Sequence, residues 1–179
     1  MNRRGQFYLI TAMIIVTLIA SFVTITNYSK KTPDARIENI GSELKYEAGK
    51  VIDFAIANPS EGSIDEKLLD FTKQYSESSE ADNFYFIFGD SSSIRVAGLQ
   101  KRDGILSIQG VTDANPELTL TAGSYNSNLF SPNGNSVNLT ISIFDNLKYE
   151  FKLTSGQGFY YIVSKEIEEE NHVATNSRQ

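Results

Sequence analysis

The sequence predicts an α+β fold: an N-terminal transmembrane helix continues into an amphipathic helix that packs on an antiparallel β-sheet domain. Three observations predict it. An uncharged apolar segment opens the chain, apolar residues then recur every three or four positions, and after residue 82 apolar and polar residues alternate. The predicted segments are a basic leader (1–5), a transmembrane helix with a short linker (6–31), amphipathic helices (32–81), an antiparallel β domain (82–168) and a disordered tail (169–179).

The apolar segment from Phe7 to Thr26 has 20 residues and no charge. A helix of that length is about 30 Å long, which matches the hydrocarbon core of a bilayer. Arg3 and Arg4 precede it, which favours a cytoplasmic N-terminus and export of the rest of the chain. We therefore expect a single-pass protein of the cell membrane, with the lipid bilayer as a partner and an extracytoplasmic C-terminal domain.

Small residues within this segment are candidates for helix packing. Ala12 and Ala20 are eight residues apart, about two helical turns, so they lie near one face, and Ser21 follows directly. Close packing at small residues supplies much of the attraction between helices in lipid. These three positions are the predicted contacts of the helix with a neighbouring helix.

The basic head Arg3-Arg4-Gly5-Gln6, followed at once by an apolar helix, resembles the class III signal peptide of archaeal type IV pilins and archaellins. The resemblance implies that a prepilin-type peptidase cuts between Gly5 and Gln6 and leaves the hydrophobic helix on the mature protein. It also implies a pilin-like fold and assembly with itself or other pilin-like subunits. Ile10 stands where bacterial-type pilins have a glutamate. A plain uncleaved anchor and a signal peptide cleaved after Ala20 remain as alternatives.

Two helices are predicted after the membrane segment. Thr32-Pro33-Asp34 is typical of a helix start, with Thr as N-cap and Pro at the first position, and the helix is expected to end near Asn58-Pro59. Ser63 and Glu66 form a capping-box pattern for a second, shorter helix, in which Asp65 and Glu66 are first-turn acids rather than a catalytic pair. The apolar face of the first helix comprises Ile37, Ile40, Leu44, Ala48, Val51 and Ala55.

The β domain is predicted because the spacing of apolar residues changes after residue 82, from every third or fourth position to every second. Residues 83–88 are apolar on both faces, which predicts a central buried strand, whereas residues 93–99 and 105–109 flank Asp103-Gly104 as a hairpin. Residues 123–136 are expected to form a loop because Asn, Ser, Gly and Pro dominate them. The remaining strands are predicted at 118–121, 137–143, 147–153 and 159–163, the last of which places Tyr160 and Tyr161 on opposite faces.

The composition excludes several kinds of chemistry. The chain of 179 residues has no Cys and a single His, His172, so it has no disulfide, no thiolate metal site and no cysteine nucleophile, and a Ser-His-Asp triad is disfavoured. Its net charge of −6 argues against nucleic acid as a partner. We expect no cofactor, no metal and no enzymatic activity; a calcium site built from turn residues such as Asp103 and Asp113 is an alternative.

Two N-glycosylation sequons are open. Asn138-Leu139-Thr140 lies on the predicted outward side of its strand, which makes Asn138 the candidate acceptor. Asn27-Tyr28-Ser29 lies too close to the membrane segment, and Asn58 is followed by a blocking proline.

The sequence therefore predicts a non-enzymatic, membrane-anchored extracytoplasmic protein, in particular a pilin-like cell-surface or filament subunit. The alternative is a monomeric, single-pass anchored β domain that binds a ligand or partner. Self-association distinguishes the two, because filament subunits must pack their helices against one another.

Overall fold

The computed structural model describes residues 33–114, 116–133, 137–143, 147–153, 156, 158–167 and 170–176. The chain divides into two compact units, 1–36 and 37–179, and every feature below belongs to the second unit except the first residues of one helix. The predicted leader and transmembrane helix, with their candidate residues, lie outside the described residues: Arg3, Arg4, Gly5, Gln6, Ala12, Ala20 and Ser21. In the part of the chain that is described, no helix has the length and apolar character needed to cross a membrane.

Both predicted helices of the second unit form. Helix α1 (Pro33–Ala57) begins at the predicted proline, and a short 3-10 helix (Pro59–Glu61) follows it. Helix α2 (Ile64–Ser78) starts with the predicted capping box: the Ser63 hydroxyl accepts from the Glu66 amide at 3.2 Å, and the Glu66 carboxylate accepts from the Ser63 amide at 2.9 Å. These two bonds satisfy amides that a helix start otherwise leaves without partners.

Among the described residues, nine strands form two antiparallel sheets. The five-stranded sheet has the order β5-β2-β1-β8-β9 and the four-stranded sheet the order β4-β3-β6-β7. The strands are β1 (Asn83–Gly89), β2 (Ile94–Leu99), β3 (Gly104–Gln109), β4 (Glu117–Leu120), β5 (Asn126–Phe130), β6 (Val137–Ile143), β7 (Leu147–Leu153), β8 (Gly158–Ile167) and β9 (Glu170–Thr175).

The elements stack in three layers: the helices, the five-stranded sheet and the four-stranded sheet. Strand β1 is central and buried on both sides, as its sequence predicts, because Phe84, Phe86 and Phe88 face the helices while Tyr85 and Ile87 face the other sheet. Two cores result. The inter-sheet core includes Val96, Leu106, Ile108, Leu120, Phe151 and Ile162, and the helix-side core includes Ile37, Leu44, Ala48, Leu68, Val163 and Ala174.

The predicted hairpin of residues 93–99 and 105–109 is wrong. Strand β2 pairs with β1 and β5, whereas β3 pairs with β4 and β6 in the other sheet. Both edges of β2 are already occupied, so the chain crosses to the second sheet through buried Gln100, whose side-chain oxygen accepts from the Tyr85 hydroxyl at 3.0 Å. Asp103, expected at a hairpin turn, accepts instead from the amide of Ala122 at 2.8 Å.

Two further strands form where the sequence predicts none. Strand β5 lies inside the predicted loop 123–136, and β9 lies inside the predicted disordered tail 169–179. Both are edge strands of the five-stranded sheet, where polar residues are tolerated because one side of the backbone faces solvent. Asn176 extends the pairing of β9, because its side chain accepts from the Tyr161 amide and donates to the Phe159 carbonyl.

Besides the helix-side core, a close approach in α1 and an ion pair in α2 help to hold the helices on the five-stranded sheet. In α1, Gly41 lies directly over Tyr161 and Ala174, so close that an added Cβ would lie 2.9 Å from the Tyr161 hydroxyl. In α2, the Asp65 carboxylate accepts from the Arg95 guanidinium of β2, with Nη2 at 2.7 Å from Oδ2 and Nε at 3.1 Å from Oδ1. A two-bonded arginine–carboxylate pair of this kind fixes orientation as well as distance.

Candidate interaction surface on helix α1

The side of α1 that faces away from the core forms a continuous exposed strip. Tyr46 lies nine residues after buried Ile37, which is two and a half helical turns and therefore the opposite side. We call this strip the outer face of α1. It comprises Ser42, Lys45, Tyr46, Gly49, Lys50, Asp53 and Ile56, all of them exposed.

Exposed apolar side chains are concentrated on this helix. Of the six large hydrophobic residues that are strongly exposed in the described part of the chain, three belong to α1: Tyr46 and Ile56, each 63% exposed, and Phe54, 47% exposed. Single exposed apolar residues are ordinary on protein surfaces, so it is their concentration on one helix that makes α1 a candidate contact surface.

A shallow depression of about 450 Å³ runs along the outer face. It opens at Gly49, where no atom lies within 4 Å of the position that a Cβ would take. Lys45, Lys50 and Asp53 flank it, and the Lys50 ammonium lies 5.3 Å from the centre of the Tyr46 ring. The depression is open, so it suits the ridge of a neighbouring helix better than an enclosed small molecule.

Lysines partly cover the two aromatic rings of α1. Besides Lys50 over Tyr46, the Lys67 ammonium of α2 lies 5.7 Å from the centre of the Phe54 ring. Exposed cation–π contacts contribute only about 0.5–1 kcal/mol. A partner that buries these rings can therefore displace the lysines at small cost.

Titratable groups near the helices have structural partners. Burial, together with the nearby Glu43 carboxylate, raises the pKa of Tyr75, and burial raises the pKa of Tyr125 to about 12 although the Thr72 hydroxyl, 2.6 Å away, opposes the shift. Burial also raises the pKa of Tyr161. An ordinary phenol is already protonated at neutral pH, so these shifts change only how the phenols titrate at high pH.

The described residues bring together no set of three or more His, Asp or Glu side chains that could hold a metal ion. The turn aspartates considered for calcium bind backbone amides instead. Asp103 accepts from Ala122 and Asp113 accepts from Ser131 at 2.8 Å, each partner being 18 or 19 residues further along the chain. Their oxygens therefore hold neighbouring loops together.

The remaining candidates of the sequence are placed as follows. Asp65 and Glu66 act at the start of α2, as predicted, and Asp65 additionally pairs with Arg95. Tyr160 and Tyr161 lie on opposite faces of β8, as predicted: Tyr160 packs against the inter-sheet core and Tyr161 is buried under α1. Asn138 is the second residue of β6 and pairs with Lys152.

The outer face itself was not recognised from the sequence. Two features of the sequence could have indicated it. Tyr46 and Ile56 are apolar yet fall outside the three- and four-residue spacing of the buried face. Gly49 lies inside the predicted helix, where glycine is unfavourable.

Comparisons of the chain with protein-family models, with curated proteins and with solved structures find no match.

Proposed function

We propose that this chain is a non-enzymatic, membrane-anchored extracytoplasmic protein that assembles as a pilin-like cell-surface subunit. In this proposal, residues 6–31 comprise the single transmembrane helix and a short linker, and the outer face of α1 provides a second contact between neighbouring subunits. A prepilin-type peptidase removes residues 1–5 and leaves Gln6 as the mature N-terminus. The domain that follows lies outside the cytoplasm.

One observation carries the proposal. An apolar segment of membrane length lies a short polar linker before a 25-residue helix that packs one face on an antiparallel sheet and exposes apolar side chains on the other. A helix that served only its own domain would need no apolar side chains on its outer face. Subunits held side by side in a membrane can bury Tyr46 and Ile56 against one another.

Processing is tested by the intact mass of the protein extracted from the membranes of the cells that make it. We expect an N-terminus at Gln6, and a full-length precursor when Gly5 is replaced by a bulky residue. An N-terminus at Met1 contradicts the cleavage, whereas one at Ser21 supports an ordinary signal peptide.

Assembly is tested with variants of the two helical surfaces. Replacing Ala12 and Ala20 together by leucine is expected to abolish filaments while membrane insertion persists, since only tight packing needs small residues. Tyr46→Glu with Ile56→Lys is expected to do the same from the outer face of α1. The matched control is Ile105→Lys, which changes an equally apolar and 57% exposed residue on β3.

The readout is electron microscopy of material sheared from the cell surface, together with membrane fractionation, in a host with the export and assembly machinery. If the chain is recovered only as a membrane-bound monomer and all variants match the wild type, the alternative of a single-pass anchored ligand- or partner-binding β domain replaces the filament subunit.

A further inference from the structure

The sequon Asn138-Leu139-Thr140 lies in β6, and the register of β6 with β7 decides which side of the four-stranded sheet it occupies. Val137 pairs with Leu153 and Leu139 with Phe151, and both β7 partners are buried in the inter-sheet core. Asn138 pairs with Lys152 and Thr140 with Glu150, and both of these β7 partners are exposed. Directly opposed residues of an antiparallel pair share a face, so positions 138 and 140 belong to the solvent side.

That side of the four-stranded sheet is exposed on β3, β4 and β7. Both helices pack on the five-stranded sheet, and nothing among the described residues packs on the outer side of the four-stranded one. Its exposed positions run across three strands: Ile105 and Gln109 of β3, Glu117 and Thr119 of β4, and Lys148, Glu150 and Lys152 of β7. An enzyme that approaches this face therefore meets mostly solvated polar side chains, with Ile105 as the apolar exception.

The position of the acceptor within the strand also favours access. Asn138 is the second residue of β6, next to the end of the strand, and β7 beside it is the edge of the sheet. Only one strand therefore separates it from the sheet edge.

We propose that Asn138 is an N-glycosylation site that takes an oligosaccharide from a lipid-linked donor. The bond formed joins the side-chain nitrogen of Asn138 to C1 of the first sugar. The bond broken joins that C1 to the phosphate oxygen of the lipid carrier, and the amide gives up one proton as the lipid phosphate leaves. The Thr140 hydroxyl completes the triplet that a transferase recognises.

This inference rests on the proposed function, because such transfer needs an extracytoplasmic domain. The other candidate acceptors are less suitable. Asn58 is followed by Pro59, and its side-chain nitrogen already donates to the Phe54 carbonyl at 2.9 Å. Asn27 lies one residue after the apolar segment, close to the proposed bilayer surface.

The test is glycopeptide mass spectrometry of the full chain purified from the cells that make it. We expect the peptide containing Asn138 to carry a whole number of sugar residues. The modification should be lost in Asn138→Gln and in Thr140→Val, which keeps the β-branched shape, and should persist in Thr140→Ser, which keeps the sequon.

Protease treatment of intact cells distinguishes failure of the glycosylation site from failure of the proposed function. If the domain is degraded from outside and the wild-type peptide is unmodified, the glycosylation site is overturned and the proposed function stands. If the domain is protected and the peptide unmodified, both are overturned. Glycan that persists in Thr140→Val also contradicts the sequon mechanism.

Discussion

At the scale of single residues, Gly41 and Gly49 lie two turns apart on α1 but meet different surroundings. A Cβ at position 41 would lie 2.9 Å from the Tyr161 hydroxyl and 3.2 Å from the Ala174 Cβ, whereas a Cβ at position 49 would meet nothing within 4 Å. Gly41 permits close packing of the helix on the sheet, whereas Gly49 packs against nothing and lies in the open depression of the outer face.

We therefore expect Gly49→Ala to raise the free energy of unfolding by about 0.5–1 kcal/mol, because alanine favours the helix. Gly41→Ala gains the same propensity but crowds Tyr161 and Ala174, and we expect a net loss of about 1 kcal/mol. Urea denaturation of residues 33–179 measures both. Equal stabilisation by the two substitutions would show that α1 does not approach β8 and β9 as closely as described.

Asp82 provides a pH dependence that can be predicted in sign. Burial by itself raises its pKa, but the Lys101 ammonium and the backbone amide of Glu166 outweigh it and hold the pKa below its ordinary value. A carboxyl group whose folded-state pKa is lowered stabilises the fold fully above its unfolded pKa of about 3.9. That stabilisation is lost as the pH falls through the lower, folded-state pKa.

We expect the domain to lose stability as the pH falls below about 4, and Asp82→Asn to flatten part of that loss. At pH 7 the variant should be less stable by about 1–2 kcal/mol, because the partly buried Glu166 amide and the Lys101 ammonium lose a charged acceptor. Urea midpoints measured at pH 7, 4 and 3 test this. If the stability of the variant depends on pH in the same way as that of the wild type, other carboxylates cause the loss of stability in acid.

At the scale of elements, β9 is the clearest difference between the sequence-based expectation and the structure. Its residues Glu170–Thr175 pair with the part of β8 from Ile162 to Ile167, and Ala174 contributes to the helix-side core. The sequence around it is acidic and polar, which is typical of a solvated tail. The strand depends on the neighbouring edge of β8 and has little propensity of its own.

We expect a chain that ends at residue 169 to lose at least about 2 kcal/mol of stability, because several backbone hydrogen bonds and the burial of Ala174 disappear together. A chain that ends at Asn176 keeps β9 and both hydrogen bonds of Asn176, so it should match the wild type. Thermal unfolding of the two truncations distinguishes them. If both behave like the full domain, residues 170–176 contribute no stability and the prediction of a disordered tail was right.

At the scale of the whole molecule, residues 33–179 contain both cores. This fragment carries 12 basic and 22 acidic residues, since Arg3, Arg4, Lys30 and Lys31 precede it, and its net charge is therefore −10 (12 − 22). A strong net charge favours solubility, and about 147 residues suffice for a stable domain.

We expect residues 33–179 to fold cooperatively in solution without metal or oxidant. Thermal unfolding followed by circular dichroism, with and without chelator and reductant, checks this. A transition that disappears with chelator would reveal a metal site outside the described residues.

The sequence by itself determined what depends on local patterning. The start of α1 at Pro33, the capping box of α2 and the double-sided burial of β1 each depend on neighbouring residues, through helix-end hydrogen bonds or the alternation of side chains. The place of Asn138 on the solvent side is a prediction from the alternation, and in the structure its backbone pairs with Lys152 of β7.

Only the tertiary structure decided which strands share a sheet and which surfaces stay exposed. The Asp103-Gly104 sequence is compatible both with a hairpin within one sheet and with a connection between two sheets. The connection between sheets forms because β1 and β5 already pair with both edges of β2. Likewise β5 and β9 form because neighbouring strands offer them an unpaired edge. The outer face of α1 is defined only once the sheet takes the opposite side, because exposure is a property of the packed chain and not of any one segment.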